Sequence, residues 1–239
     1  MAERDSSTDT ANAPNIGDTA LVIIARYPEA GKTKTRLART IGDERTVVLY
    51  QAFLTDLARR FAGLEYHLHW TYTPATVDYQ AFVSTLVPEH ASSMCCFPQR
   101  GDDLGERLLY AFQWCHRQGF QRTILIGSDT PHISRDIICA AKDALDEVDI
   151  VLGPSEDGGY YLIAMCAPYD VFSNIPMSTS EVAEQTIAAA HRLGLTVRLL
   201  ETLLDVDEFS DLQCLATLLG RDSSLAPTTA DYLTDMRLK

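Results

Sequence analysis

Between positions 26 and 39 the chain carries Arg26, Lys32, Lys34, Arg36 and Arg39 against one acid, Glu29. Guanidinium and ammonium groups hold phosphate through charge-assisted hydrogen bonds, and small residues such as Gly31 let backbone N–H groups come close. The segment therefore suits an anion such as a diphosphate. The whole chain has 33 acidic and 20 basic residues and a formal net charge of -13, so this local reversal of sign is informative. A solvated charge run is the competing reading, and direct succession to the apolar run Leu21–Ala25 weighs against it. Gly31-Lys32-Thr33 imitates the end of an ATPase phosphate loop, but Arg26 occupies the position of that motif's first glycine and blocks the tight turn.

Carboxylates recur at three further places. Asp129, in Gly127-Ser128-Asp129-Thr130-Pro131, closes an apolar run. A carboxylate there can hold Mg²⁺ or Mn²⁺ while substrate phosphates complete the octahedron, although Asp before Thr-Pro also makes a good helix cap or Asx-turn. Glu156 and Asp157 precede Gly158-Gly159-Tyr160-Tyr161. The pair is suited to binding a substrate hydroxyl or acting as general base, and a plain β-turn is the alternative. Asp205 and Asp207 lie two apart, so on extended backbone they point the same way, and one of them is a candidate second metal ligand. Helix capping competes there, as it does for Asp102 and Asp103 in Gly101-Asp102-Asp103-Leu104-Gly105. The six histidines have no metal-binding spacing. His67 and His69 read as packing residues on one strand face, His132 as a neighbour of the Asp129 site, and Ser178-Thr179-Ser180 as a helix cap.

The elements that must position these groups alternate. Apolar runs at 21–25, 67–72, 94–97, 123–127, 149–153, 160–165 and 195–200 read as strands. Stripes at 43–61, 76–87, 104–115, 137–145, 179–193 and 209–219 read as helices. This alternation implies an α/β protein, a three-layer α/β/α sandwich with a mainly parallel (mixed) sheet. In such sheets ligands bind beyond the carboxyl ends of the strands, where the polar motifs fall. A single domain over 19–220 is expected, preceded by a disordered polar tail (1–18) and followed by an irregular extension (221–239).

Apolar residues are 46% and charged residues 22% of the 239, an ordinary globular balance. No apolar run is long enough to span a bilayer. The net charge argues against nucleic-acid coating. The N-terminus lacks a secretory pattern and no C-x-x-C occurs, so the cysteines are expected as reduced thiols in the cytoplasm.

Taken in order, Arg26-Tyr27-Pro28 through Lys34-Thr35-Arg36-Leu37, Asp103-Leu104-Gly105-Glu106-Arg107, Gly127–Pro131, Gly153–Leu162 and Asp205-Val206-Asp207 resemble a known family. It comprises GT-A-type glycosyltransferases associated with radical-SAM and selenium-domain proteins or with arsenosugar biosynthesis. The likeness covers about residues 20–212, with Arg26 where the family commonly has lysine. It implies the GT-A nucleotide-diphospho-sugar transferase fold. It further implies a nucleotide site at Arg26, Gly31, Lys34, Arg36, Asp103 and Gly105, and a divalent metal (Mg²⁺ or Mn²⁺) on Asp129 with Asp207 or Asp205. Glu156 and Asp157 would be catalytic, and Gly158, Gly159 and Tyr160 would face the second substrate. The expected activity is glycosyl transfer from a nucleoside-diphosphate sugar to a small acceptor. The alternative is nucleotidyl transfer to a phosphorylated small molecule, as in related guanylyl- and cytidylyltransferases. A nucleotide-binding regulatory module without turnover is a third reading, disfavoured by carboxylates at three strand ends.

Overall fold

The computed structural model describes residues 18–63, 66–177 and 179–236. β1 (Thr19–Arg26) is buried along nearly its whole length, which requires cover on both faces. Leu21, Ile23 and Ala25 point into one core and Ala20 and Val22 into the other, the two-residue alternation of a strand. β1 pairs in parallel with β2 (His67–Thr73) and with β4 (Arg122–Ile126), and β3 (Cys95–Pro98) lies parallel beyond β2. β6 (Tyr160–Met165) runs antiparallel to both β4 and β5 (Ile150–Pro154). β7 (Val197–Leu199) returns parallel to β5. The seven-stranded sheet has the order β3-β2-β1-β4-β6-β5-β7. The mixed sheet expected from the alternation is thus present.

One face is covered by α2 (Asp43–Phe61), α3 (Tyr79–Leu86), α5 (Arg135–Ala144), α7 (Phe209–Arg221) and α8 (Pro227–Asp235). The other is covered by α4 (Leu104–Arg117) and α6 (Val182–Arg192). Because β6 runs backwards, its first residue meets the carboxyl ends of β1, β4 and β5. The polar motifs therefore share one edge of the sheet.

Three local expectations need correction. The basic loop contains a helix, α1 (Thr35–Ile41), too short for its periodicity to stand out between Lys34 and Gly42. Of the expected irregular extension 221–239, residues 221–236 are described and are largely helical: a 3-10 turn at Ser223–Leu225 leads into α8, which starts at Pro227, where a missing N–H costs nothing. Of the expected tail, residues 1–17 lie outside those described, whereas Asp18 accepts hydrogen bonds from the Arg122 guanidinium at 3.1 Å. No helix among the described residues is long and apolar enough to cross a membrane.

His69 packs as expected, its ring 5.3 Å from those of Trp114 and Phe120. The six cysteines are free thiols. Burial pushes the thiols of Cys96 and Cys115 up to about 12, so both stay neutral and inert.

α8 is anchored by one buried carboxylate. Asp56 of α2 accepts from the backbone N–H of Thr228 (2.9 Å) and Thr229 (2.8 Å) and from the Thr229 hydroxyl (2.7 Å). It serves as an N-cap supplied by a neighbouring helix. Asp56→Ala should cost about 2–3 kcal/mol in denaturant unfolding, because buried donors lose a charged acceptor. Asp56→Asn should cost less.

His132 is buried beside Arg60, and burial first, then the guanidinium, lower its imidazole to about 4. The unfolded chain binds that proton near 6.5, so stability from neutral His132 is complete above pH 6.5 and is lost as pH falls towards 4. Melting curves of His132→Gln should show a shallower loss than wild type between pH 6.5 and 4.

Candidate active site at the carboxyl edge of the sheet

The basic loop leaves β1 at Arg26. It is held by Thr33, whose N–H donates to the Glu29 carbonyl (3.1 Å) and whose hydroxyl accepts from the Glu29 N–H (2.8 Å). Gly31 sits at φ 75°, in the left-handed region. Lys34 is also left-handed, at φ 41° and ψ 56°, an uncommon conformation for a residue with a Cβ. It turns the lysine inward. The Lys34 side chain is only 5% exposed, and its Nζ lies 2.7 Å from Asp129 Oδ1. The same ammonium donates to the carbonyl of Val206. The rings of Tyr50 and Phe53 lie 6.0 and 5.9 Å from it.

The chain beyond β7 is laced to the same edge. Leu203 N–H donates to the Pro154 carbonyl (3.1 Å) and Glu156 N–H to the Leu203 carbonyl (3.2 Å). Val206 N–H donates to the Asp129 carbonyl (3.0 Å). These bonds bring Asp205 and Asp207 beside Asp129 although some 76 residues separate them in the chain. Thr130 donates its hydroxyl to Asp205 Oδ1 (3.0 Å). Burial, then the Asp129 carboxylate, push the Asp205 carboxyl up to about 7, with Lys34 and Thr130 pulling the other way and Asp157 adding to the rise. Asp207 is more exposed and pairs with Arg36 at 2.7 Å.

Two cavities open here and share Asp129, Asp205, Asp207, Leu104 and Tyr160. The first, about 390 Å³, runs from Arg26, Lys32 and Lys34 past Gln99 and Arg107 to Ser128. The second, about 450 Å³, is bounded by Arg36, Ser155, Asp157, Gly159, Met177, Thr179 and Ser180. Both volumes fall within the range of small-molecule sites. A mainly basic surface of Arg26, Lys32, Lys34, Thr35 and Arg36, with Asp207, continues outward from the first.

Not every expected site residue reaches these cavities. Asp103 caps α4, accepting from the Glu106 N–H at 2.9 Å, and lines neither. Gly105 is buried, and a Cβ there would lie 3.1 Å from Met177 Cε, so the glycine serves helix packing. Gly31 and Glu156 are exposed and also line neither. Gly158 does not admit a ligand: at φ 88° its missing Cβ leaves room for the carbonyl of Ser180, which would otherwise lie at 1.9 Å. Ser178 of the expected helix cap lies outside the described residues; α6 itself begins at Val182.

Several lining residues escaped the sequence reading. Tyr50 belongs to the apolar stripe of α2, yet its hydroxyl lies 2.8 Å from Ser128 Oγ and accepts from the Arg26 N–H at 3.1 Å. Gln99 lies outside the motifs; its side-chain amide donates to the carbonyls of Ala25 (3.0 Å) and Thr71 (3.1 Å). Arg107 lay within a quoted motif but received no role.

Among the described residues, no three Asp, Glu, His or Cys side chains converge as a ready-made metal cluster. What is present is a pair of carboxylates, Asp129 and Asp205, with the Lys34 ammonium on Asp129 Oδ1 and the Thr130 hydroxyl on Asp205 Oδ1. Mg²⁺ commonly takes one or two carboxylates and completes its shell with substrate phosphates and water, so the donor set fits such an ion.

Residues 57–179, just over half of the chain, match the family described as "Uncharacterized protein conserved in bacteria". The chain belongs to this family, DUF2064. The DUF2064 match includes Asp129 and Asp157 but neither the basic loop nor Asp205. A solved structure of a candidate nucleotide-diphospho-sugar transferase from Desulfovibrio desulfuricans G20 is 33% identical and superposes with a TM-score of 0.83. That alignment covers 91% of this chain and 94% of the other. The chain is also 31% identical over 128 residues to a phosphoenolpyruvate guanylyltransferase of Chloroflexus aggregans. That match spans 52% of this chain and 61% of the relative, about three fifths of its length. A 4-diphosphocytidyl-2C-methyl-D-erythritol synthase from Anaerococcus prevotii DSM 20548 shares 9% identity and a TM-score of 0.55, over 85% of this chain and 97% of that one. It shares the fold. This DUF2064 protein therefore has the nucleotide-diphospho-sugar transferase-like architecture expected from its motifs.

Asp205 also supplies a test of the crowding. Its folded value lies above the unfolded 3.8, so the stability it lends is present below pH 3.8 and is lost as pH rises through 7. In EDTA, Asp205→Asn should melt higher than wild type at pH 8, with the gap closing towards pH 4. The same variant should lose most of any melting shift produced by Mg²⁺ with nucleotide.

Proposed function

We propose that the chain is a metal-assisted nucleotidyltransferase. It moves the nucleoside monophosphate of a nucleoside triphosphate onto a small phosphorylated acceptor and releases pyrophosphate. The observation that carries this reading is the row of cations Arg26, Lys32, Lys34 and Arg107 along the first cavity, which meets a second cavity at Asp129, Asp205 and Asp207. A triphosphate is drawn to the first cavity and the surface beyond it by Arg26, Lys32, Lys34, Arg36 and Arg107, three of which also hold carboxylate partners, Glu29, Asp129 and Asp207. The guanylyltransferase of C. aggregans and the shared fold of the A. prevotii enzyme support the same reaction class. Glycosyl transfer, the first expectation from the motifs, draws less support from these relatives. Neither the radical-SAM nor the arsenosugar association draws any.

In the proposed mechanism the acceptor oxygen attacks the α-phosphorus, forming an O–P bond while the bond to the β-phosphate oxygen breaks. Charge develops on the departing pyrophosphate, next to Lys34 and the outer arginines, which are preorganised for it. Asp129 and Asp205 would hold Mg²⁺ or Mn²⁺, with Asp207 nearby steadying Arg36. A bound divalent ion supplies Lewis-acid neutralisation of the phosphates. Asp157, fixed by the Ser155 hydroxyl (2.5 Å) and the Gly159 N–H (3.0 Å), orients the acceptor.

The test is a melting screen with Mg²⁺ against four nucleoside triphosphates and their diphosphate sugars, paired with a pyrophosphate assay. A triphosphate at a hundred times its dissociation constant should stabilise the fold by about 2.7 kcal/mol. Lys34→Ala should lower turnover about 10²–10³-fold. Stabilisation by a diphosphate sugar with release of a nucleoside diphosphate would instead restore glycosyl transfer.

A further inference from the structure

Lys34 spends its donors on the protein. An ammonium has three N–H donors, and here one goes to Asp129 Oδ1 at 2.7 Å and another to the Val206 carbonyl. The Lys34 side chain is 5% exposed, against 61% for Lys32 and 58% for Arg36 on the same loop. An anion arriving from solvent meets Lys32 and Arg36 first, and meets the Lys34 ammonium only if that group lets go of Asp129.

The same contact bears on a cation. Asp129 lines both cavities and stands beside Asp205. Mg²⁺ binds oxygen at about 2.0–2.1 Å and tolerates little distortion of its octahedron. An ammonium 2.7 Å from Oδ1 stands within the shell of any ion on that oxygen, and two cations so close in a partly buried place repel. The ammonium also ties the Asp129 turn to Val206, the residue between Asp205 and Asp207, so it bridges the two segments that supply the carboxylates.

Lys34 can release Asp129 without unfolding the loop. Its backbone is fixed as the start of α1, its carbonyl accepting from the Ala38 N–H at 2.9 Å. Rotation about its flexible four-carbon stem carries the ammonium outward along the basic surface that Lys34 already lines.

We propose that Lys34 is a built-in counter-cation: it keeps Asp129 closed to divalent ions until the phosphates of a triphosphate draw its ammonium outward, so that metal and nucleotide enter together. A lone divalent ion must expel the ammonium from its partners into water, whereas a triphosphate gives it new ones. The two ligands are therefore positively coupled through one side chain. The part given to the triphosphate rests on the nucleotidyl-transfer reading; the competition between lysine and metal at Asp129 does not.

Two measurements on the full chain decide it. In the first, Mn²⁺ alone is titrated by calorimetry into wild type, Lys34→Met, Lys32→Met and the double variant Lys34→Met/Asp129→Asn. Lys34→Met should bind Mn²⁺ about tenfold or more tighter than wild type. Lys32→Met removes the same charge from an exposed, screened position and should gain no more than about threefold. The double variant should lose the gain. With a saturating triphosphate, whichever of ATP, CTP, GTP and UTP binds, wild-type affinity for Mn²⁺ should rise about tenfold or more, and that of Lys34→Met by less. The second measurement needs no variant: brief amine acylation of wild type, read by peptide mass spectrometry. In EDTA Lys34 should label far more slowly than Lys32, and at saturating Mn²⁺ its labelling should rise several-fold.

A Mn²⁺ affinity of Lys34→Met no greater than that of Lys32→Met overturns the proposal. So does Lys34 that stays protected with Mn²⁺ bound, because the ion then sits on other oxygens. Absence of Mn²⁺ binding to both wild type and Lys34→Met at millimolar concentration overturns it as well. Failure of every triphosphate to bind sinks the nucleotidyl-transfer reading and the nucleotide half of the proposal, while the competition at Asp129 is still read from Mn²⁺ alone.

Discussion

The ion pair between Lys34 and Asp129 is the interaction on which the site depends. An ammonium almost removed from water is costly unless it is paired and hydrogen-bonded, and this one takes a carboxylate, a carbonyl and two aromatic faces. Each partner comes from a different part of the chain: the tip of β4, the segment after β7, and α2. Satisfying one buried charge therefore draws together the basic loop, the Asp129 turn and the 203–207 strap. The left-handed backbone at Lys34 is the local cost of aiming that side chain inward.

Around this clamp, charge is sorted by side. The cations lie along the loop and the first cavity, Asp157 lies in the second, and Asp129, Asp205 and Asp207 stand at the boundary between them. In a chain of net charge -13 the basic side must be built locally, and three of its members lie between Lys32 and Arg36. The acidic side must be relieved, and protonation of Asp205 near neutrality is one form of that relief. A divalent cation is another.

The antiparallel β6 has a functional consequence. A purely parallel sheet would have sent the chain after β5 through a helix and back to the opposite edge. Instead the short turn Ser155–Gly159 returns directly, with Ser155 and Gly159 bonded across it at 3.1 Å. Asp157 is thereby set beside the strands that carry Asp129, and Tyr160 begins β6 at the boundary of both cavities. Gly158 is reserved for the carbonyl of Ser180, so even the glycines of this turn divide between chain packing and the ligand wall.

The sequence by itself determined the layers and the chemical types at their edge. Leu21–Ala25 and Ile124–Ile126 must be buried on both faces because they have no polar side, and the loops that follow them carry the clustered cations and the Asp129 carboxylate. Five ordered motifs were enough to name the architecture. Periodicity could not separate capping from ligand binding, because a carboxylate at a helix start looks the same in either role; the fold made Asp103 a cap and Asp129 a cavity residue. It could not show that Asp205 is the one buried beside Asp129 while Asp207 pairs with Arg36. Nor could it find Tyr50 or Gln99, whose polar atoms reach the site only because α2 packs against β1 and β3 ends beside β2, one strand away from β1. Those assignments rest on contacts between residues tens to more than a hundred positions apart, and only the packed tertiary structure supplies them.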